Sequence, residues 1–215
     1  MAAPPDALLL MGRQCPYCPT VLKHLQALQA EGIIGVLETV VLEDHPEKAA
    51  ELGVRSVPWV RIGRFELAGL RSKQELRDWA TKTGAADGQA AYFAELLSGG
   101  EIDKCLAMIR ADHGVLRDLL QLFTDPDVQL NIRIGISALM ESLAGSSALL
   151  SISGQLHALL SHEDARVRGD ACHYLALSGA EQAAGWIRPL LEDTDSNVRE
   201  IAADSLDELA GKSAH

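Results

Sequence analysis

The hydrophobic pattern of the chain changes near residue 83. Before that point short apolar runs alternate with amphipathic segments, and from about residue 89 the apolar positions recur at helical spacing. A short continuous apolar run is typical of a buried strand, whereas apolar residues three and four apart are typical of a helix. The pattern predicts an α/β domain over residues 1–82, a Gly- and Ala-rich linker over 83–88 and an all-helical domain over 89–215.

The first domain is predicted to follow the order β-α-β-α-β-β-α. Strands are expected at residues 7–11, 36–42, 57–62 and 65–68, and helices at about 18–28, 46–52 and 72–81. Gly63 and Arg64 suit a hairpin connection, and Ser72 with Glu75 forms a capping-box pattern at a helix start. A crossover helix makes the first two strands parallel, so we expect a four-stranded mixed sheet with helices on both faces.

The second domain is predicted to be a stack of helix pairs. Helical segments are expected at about 89–97, 101–111, 114–123, 130–144, 149–160, 165–177, 181–192 and 196–210. An apolar residue followed by arginine opens three of them, spaced by 35 and 31 residues, at Ile132-Arg133, Val167-Arg168 and Val198-Arg199. Asp164 and Asp195 stand three residues before the valines, where aspartate can cap a helix, and Gln129 takes this place in the first copy.

This Asp-x-x-Val-Arg pattern resembles HEAT repeats over roughly residues 113–210. Such repeats stack helix hairpins so that each hairpin buries the apolar face of its neighbour. The alternative is an ordinary helical bundle in which the similarity is coincidental.

The two predicted domains also differ in charge. Residues 1–82 carry 10 basic and 10 acidic side chains, whereas residues 83–215 carry 9 and 20, so the whole formal charge of -11 lies in the second part. An acidic surface repels phosphate backbones, and no nucleic-acid partner is expected. The charge instead favours a protein partner with a basic surface.

The apolar run at the start of the chain suits a strand. It spans five residues, Ala7 to Met11, which is too short for a signal peptide or a membrane span. Four cysteines in 215 residues do not make a disulfide scaffold. We therefore expect a cytoplasmic protein without a membrane partner, in which closely spaced cysteines are catalytic or metal-binding.

The candidate chemistry lies in Cys15-Pro16-Tyr17-Cys18. In disulfide exchange one thiolate attacks, and a second thiol must be close enough to release the mixed disulfide. If a helix begins around Pro16, Cys15 lies at its positive end and Cys18 lies on the same face of the first turn. Cys15 is the expected nucleophile and Cys18 the resolving thiol, and this chemistry needs no cofactor.

A second candidate element is the Val57-Pro58 bond, which stands just before a predicted strand. We predict that this bond is cis, because a cis peptide there would place the Val57 backbone beside the dithiol, where it could pair with an extended substrate. Tyr17 is expected to be exposed beside the thiols. The expected substrate-binding residues are therefore Tyr17, Val57 and Pro58.

A buried strand, Cys-Pro-Tyr-Cys-Pro and a Val-Pro 40 residues after Cys18 together resemble the thioredoxin superfamily over residues 6–82. The tetrapeptide is similar to that of glutaredoxins, whereas Pro19 and residues 53–58 look more like small thioredoxins and protein disulfide oxidoreductases. The resemblance implies a thiol-disulfide oxidoreductase whose client is a protein with a disulfide or a reactive thiol.

Three positions depart from those families. Gln14 stands where thioredoxins usually have Trp, and Leu9 replaces the buried acid of their first strand. Gly12 replaces a lysine that helps glutaredoxins to hold glutathione, although Arg13 offers a substitute. The upstream reductant, either a thioredoxin reductase-like protein or glutathione, stays open.

Other functions remain as alternatives. The cysteine pair could be half of a zinc site, but no second pair of ligands lies at suitable spacing. It could also share an iron-sulfur cluster between two copies, as some glutaredoxins do, but Pro16 and the lack of glutathione-binding residues count against this, so no metal is expected. Cys105 and Cys172 are interpreted as small packing residues. The chain could also be a redox-sensitive adaptor or a chaperone-like module without catalytic turnover.

Overall fold

The computed structural model describes residues 3–212. The chain separates into two compact units, Met1–Gly88 and Gln89–His215. Residues 83–87, which the sequence predicts as linker, form turns and a bend at the end of the first unit.

The first unit contains a four-stranded mixed sheet, which confirms the predicted fold class. Its strands are β1 Ala7–Met11, β2 Leu37–Val41, β3 Trp59–Ile62 and β4 Phe65–Ala68, and its helices are α1 Cys18–Ala30, α2 Pro46–Glu51 and α3 Lys73–Lys82. The strand order is β2-β1-β3-β4. β1 pairs in parallel with β2 and antiparallel with β3, and β3 pairs antiparallel with β4.

β1 is central in the sheet, so its side chains are buried on both faces. One face carries an apolar cluster of Leu8, Leu10, Val40 and Trp59. Partly buried residues of the segments before and after α2 pack against it, namely Leu42, Leu52, Val54 and Val57. Leu9 points to the opposite face. α1 packs against β1 and α3, because its buried residues recur at three- and four-residue spacing, as Cys18, Val21, Leu25 and Leu28.

The predicted capping box opens α3. The Ser72 Oγ accepts the backbone N–H of Glu75 at 3.2 Å, and the Ser72 N–H donates to Glu75 Oε2 at 2.8 Å. α1 ends where Gly32 adopts a φ of +71°, a conformation that favours glycine. Local sequence signals therefore set both of these helix ends.

The second unit is helical, as predicted. Its helices are α4 Gly88–Ser98, α5 Ile102–Ala111, α6 Leu116–Thr124, α7 Leu130–Ser142, α8 Ser147–Ser151, α9 Ser153–Leu159, α10 Ala165–Leu177, α11 Ala183–Ile187 and α12 Ser196–Lys212, with 3₁₀ turns at His113–Val115 and Arg188–Glu192.

Two helices that the sequence predicts as continuous are interrupted. The segment predicted at 149–160 divides at Ile152, which is buried, ends α8 and precedes α9. The segment predicted at 181–192 leaves α-helical geometry after Ile187, since Pro189 has no N–H to donate to the carbonyl of Gly185.

The repeated Asp and Arg explain the repeat pattern in the second unit. Asp164 accepts the N–H of Arg166, and Asp195 accepts the N–H groups of Asn197 and Val198, so both aspartates cap helices as predicted. Gln129 makes no side-chain cap at the start of α7. The first copy of the repeat is therefore the least regular.

Arg168 joins successive repeats. Its guanidinium donates to both carboxylate oxygens of Asp193, at 2.7 and 2.8 Å, and to the backbone carbonyls of His162 and Glu163. Arg199 binds the carbonyls of Asp193 and Thr194 in the same manner. The arginines of the last two repeats thus fix the loops that precede their own helices, whereas Arg133 Nη2 of the first copy lies 3.5 Å from Asp170 Oδ2.

Candidate redox site at the start of the first helix

Cys15 and Cys18 form a disulfide, with their Cα atoms 5.5 Å apart. α1 begins at Cys18, with Tyr17 as its N-cap residue, so the assumption that the helix begins around Pro16 is wrong by two residues. The later helix start changes the surroundings of Cys15 little, because the backbone N–H of Cys18 still donates to Cys15 Sγ at 3.2 Å. The positive end of the helix still lies at the Cys15 sulfur.

The two cysteines differ in exposure. Cys18 is fully buried, with an exposed fraction of 0%, whereas Cys15 is partly exposed. Tyr17, between them, is 54% exposed. A large partner can therefore reach Cys15 while Cys18 stays behind it.

The Val57-Pro58 bond is cis, which confirms the isomer predicted from the sequence. Val57 lies close to the loop that carries the two cysteines. A Cβ placed on Gly12 would lie 3.3 Å from Val57 Cγ2 and 3.9 Å from the Cβ of Cys15. Pro58 is buried, and its carbonyl accepts the N–H of Gly69. The structure therefore brings Val57 and Cys15 close to the same point beside Gly12.

The backbone of Val57 is available for pairing. β3 begins at Trp59, and within residues 3–212 no backbone hydrogen bond is formed by Val57. An extended segment of another protein could therefore add to this short stretch of backbone.

Glu43 and Asp44, which follow β2, are not among the site residues predicted from the sequence. Glu43 Oε1 accepts the backbone N–H of Arg13 at 2.9 Å, and Asp44 Oδ1 accepts from the Arg13 guanidinium at 2.5 Å. These carboxylates hold the loop that leads to Cys15. A signal was present, because the carboxyl ends of two adjacent parallel strands lie at the same edge of a sheet.

The remaining cysteines lie in the second unit and are fully buried. Burial raises the pKa of the Cys105 thiol to about 12 and that of the Cys172 thiol to about 11. Both therefore remain neutral thiols at ordinary pH, which agrees with the prediction that they are packing residues.

Residues 3–212 were also compared with the requirements of a metal site and of a membrane span. Over this range the structure brings together no group of three or more His, Cys, Asp or Glu side chains that could hold a metal ion. Across the same residues, none of the helices combines the length and the apolar character that a membrane span needs.

Comparisons with known proteins agree with the two-part architecture. A thioredoxin domain family model matches residues 7–81, and a HEAT repeat family model matches residues 153–214. The first copy of the repeat, at Ile132-Arg133, precedes the matched range. A search of curated proteins finds no match to this chain. The chain therefore joins a thioredoxin-like domain, with a pair of cysteines at disulfide distance, to HEAT-like repeats.

Proposed function

We propose that this protein is a thiol-disulfide oxidoreductase that acts on protein disulfides, with Cys15 as the nucleophile and Cys18 as the resolving thiol. The observation that carries the proposal is the difference between the two cysteines. Cys15 is partly exposed and receives a helix N–H on its sulfur, whereas Cys18 is fully buried. A hydrogen bond and a positive helix end both favour the thiolate form of Cys15.

The reaction balances as two exchanges. The Cys15 thiolate attacks one sulfur of the substrate disulfide, which forms a mixed disulfide and releases the first substrate thiolate. Cys18, once deprotonated, attacks Cys15 Sγ and releases the second substrate thiolate, which takes up a proton. The substrate gains two electrons, and the protein becomes the Cys15–Cys18 disulfide.

A reductant must then restore the dithiol. Either glutathione or a thioredoxin reductase-like protein supplies the two electrons that this step needs. Both reductants operate in a reducing compartment, so the proposal includes a cytoplasmic location.

Substrate binding is assigned to Val57, Pro58 and Tyr17. The unpaired Val57 backbone offers hydrogen bonds to an extended substrate segment, and buried Pro58 fixes this backbone beside the dithiol loop. Tyr17 presents an exposed ring next to Cys15. Backbone pairing is independent of side-chain identity, so this groove alone gives little selectivity among extended segments.

The catalytic assignment is tested by insulin reduction in the presence of dithiothreitol. We expect the wild type to accelerate the reaction over dithiothreitol alone, and Cys15→Ser to lose this acceleration. The matched control is Cys105→Ala with Cys172→Ala, which leaves the proposed site unchanged. The proposal is contradicted if the wild type shows no turnover or if Cys15→Ser retains turnover. A protein that shows no turnover but binds its partner with an affinity that depends on redox state is an adaptor.

The HEAT-like repeats are proposed to select the client. All of the excess negative charge lies after residue 82. Asp204, Asp207 and Glu208, for example, are exposed on α12. Such a surface attracts a basic client surface and accelerates its encounter at low ionic strength. Two weak contacts on one chain, one at the dithiol and one on the repeats, also raise the effective concentration of the client.

Client selection is tested with full-length Cys18→Ser, which retains mixed disulfides that mass spectrometry can identify. We expect the triple variant Asp204→Asn, Asp207→Asn, Glu208→Gln, which removes three negative charges, to capture less client. We expect added salt to reduce client capture too. The matched control neutralises three exposed carboxylates of the first unit, Glu38, Glu47 and Asp78. Equal capture by both triple variants and the parent argues against selection by the repeats.

A further inference from the structure

Glu43 lies beside the loop that carries the dithiol. A Cβ placed on Gly12 would lie 3.4 Å from Glu43 Oε1 and 3.9 Å from the Cβ of Cys15. Because residue 12 is glycine, no side chain of that residue fills the space between them. A negative charge therefore lies close to the residue that becomes an anion in the proposed reaction.

This charge is not neutralised by a neighbouring cation. The charged or titratable groups on the segments that meet around Cys15 are Arg13, Tyr17, Cys18, Glu43, Asp44, His45 and Arg55. His45 Nδ1 lies 3.4 Å from Glu47 Oε1. The Arg13 guanidinium is engaged by Asp44, so these two opposite charges largely offset each other. Within residues 3–212 no cationic group comes within ion-pair distance of the Glu43 carboxylate, whose hydrogen bond is with the Arg13 backbone.

We infer that the Glu43 carboxylate keeps the Cys15–Cys18 couple reducing, by opposing the negative charge that Cys15 carries in the reduced protein. A couple whose reduced form is stabilised is a strong oxidant. Here the helix start stabilises the Cys15 anion, and Glu43 limits this stabilisation, so the disulfide form is favoured. The inference rests on the proposed dithiol chemistry and gives it a direction, the reduction of client disulfides.

The test is Glu43→Gln in the full-length protein. Its side-chain oxygen can still accept the Arg13 N–H, so the substitution removes the charge and keeps the hydrogen bond. We expect the Cys15 pKa, measured from alkylation rate against pH, to fall. For charges roughly 7 Å apart at an effective dielectric of about 40 to 80, the acid dissociation constant should rise about three- to sevenfold.

Equilibration with a glutathione redox buffer gives a second readout. We expect the Glu43→Gln disulfide to be easier to reduce, by up to the same factor, and we expect both shifts to shrink in about 1 M salt. A purely structural role would move neither the Cys15 pKa nor its salt dependence in this manner. Glu43→Ala, which removes the hydrogen bond too, should shift the pKa in the same direction.

Glu38→Gln is the matched control. Glu38 is an exposed carboxylate on β2, and the three strand steps from Glu38 to the end of β2 at Val41 already span roughly 10 Å. We expect it to leave the Cys15 pKa unchanged. The inference is overturned by an unchanged Glu43→Gln, by an equal shift in Glu38→Gln, or by a shift in Glu43→Ala alone. Insulin turnover is scored separately, so the inference can fail while the proposed function stands.

Discussion

Cys15 of the first unit and the two cysteines of the second unit occupy opposite environments. Cys15 is partly exposed and receives the N–H of a helix start, with a second cysteine three residues away. Cys105 and Cys172 are fully buried in helices of the second unit, and burial raises the pKa of both thiols. In the proposed function, backbone donors and solvent access distinguish the reactive Cys15 from the buried packing cysteines of the second unit.

Loss of the resolving thiol should have the largest effect. In Cys18→Ser the mixed disulfide has no internal thiol to release it, so we expect insulin turnover to fall on the order of 100-fold or more. A covalent complex with a small disulfide should accumulate on Cys15, visible as a mass increase. Cys172→Ala should retain turnover, and a comparable loss in that variant would remove the distinction between the two regions.

The second unit should instead respond in stability. Arg168 and Asp193 are only 13% and 10% exposed, and Arg168→Ala leaves the Asp193 carboxylate and two backbone carbonyls without this donor. We expect the free energy of unfolding to fall by roughly 2–4 kcal/mol, measured by urea denaturation. The control is Arg166→Ala, whose ion pair with Asp164 is more exposed and should contribute less than about 1 kcal/mol. Equal losses in the two variants would show that burial does not set the strength of this pair.

The same ion pair predicts a pH dependence. Hydrogen bonds from the Arg168 guanidinium lower the pKa of Asp193 below its usual value. A lowered carboxyl pKa stabilises the fold above the unfolded value of about 3.9, and this stabilisation is lost as pH falls through the folded pKa. The difference in unfolding free energy between wild type and Arg168→Ala should therefore be largest near pH 7 and shrink below about pH 4. A difference that grows in acid would contradict this assignment.

A smaller effect is expected at the start of α3 in the first unit. Ser72→Ala removes the oxygen that accepts the Glu75 N–H, so the first unit should lose about 1 kcal/mol of stability. Thr81→Ala, in the same helix, serves as a control with a change of a few tenths of a kcal/mol. Cys15 alkylation should be unchanged in both variants, because α3 does not carry the dithiol.

Local patterns in the sequence predict most of the fold. β1 and α10 have the predicted bounds. A short apolar run predicts β1 and an Asp cap predicts the start of α10, and both signals depend only on residues close in sequence. Pro189 shows the limit of apolar periodicity, since the pattern of α11 continues through a residue that cannot donate a hydrogen bond. At Ile152 the helix is interrupted at a buried residue that continues the apolar pattern, and the local signal is weak, since it consists of Gly154 two residues later.

The candidate site also contains residues that sequence motifs predict and residues that they do not. Cys15, Cys18 and Val57-Pro58 belong to short motifs, and their proximity follows from the strand order. Glu43 belongs to no motif, and its place beside Gly12 depends on the parallel pairing of β1 with β2 and on the loops that follow both strands. Sequence patterns thus indicate the reacting groups, whereas the surrounding charges need the tertiary structure.

The central claim, that Cys15 is the reactive thiol of this chain, is tested most directly by alkylating the reduced protein across a range of pH. Mass spectrometry follows Cys15, Cys18, Cys105 and Cys172 separately. We expect Cys15 to react first, with a pKa below the ordinary value of about 8.5, and Cys105 and Cys172 to react only after unfolding. Faster reaction at Cys18, or a Cys15 pKa at or above the ordinary value, would contradict the account.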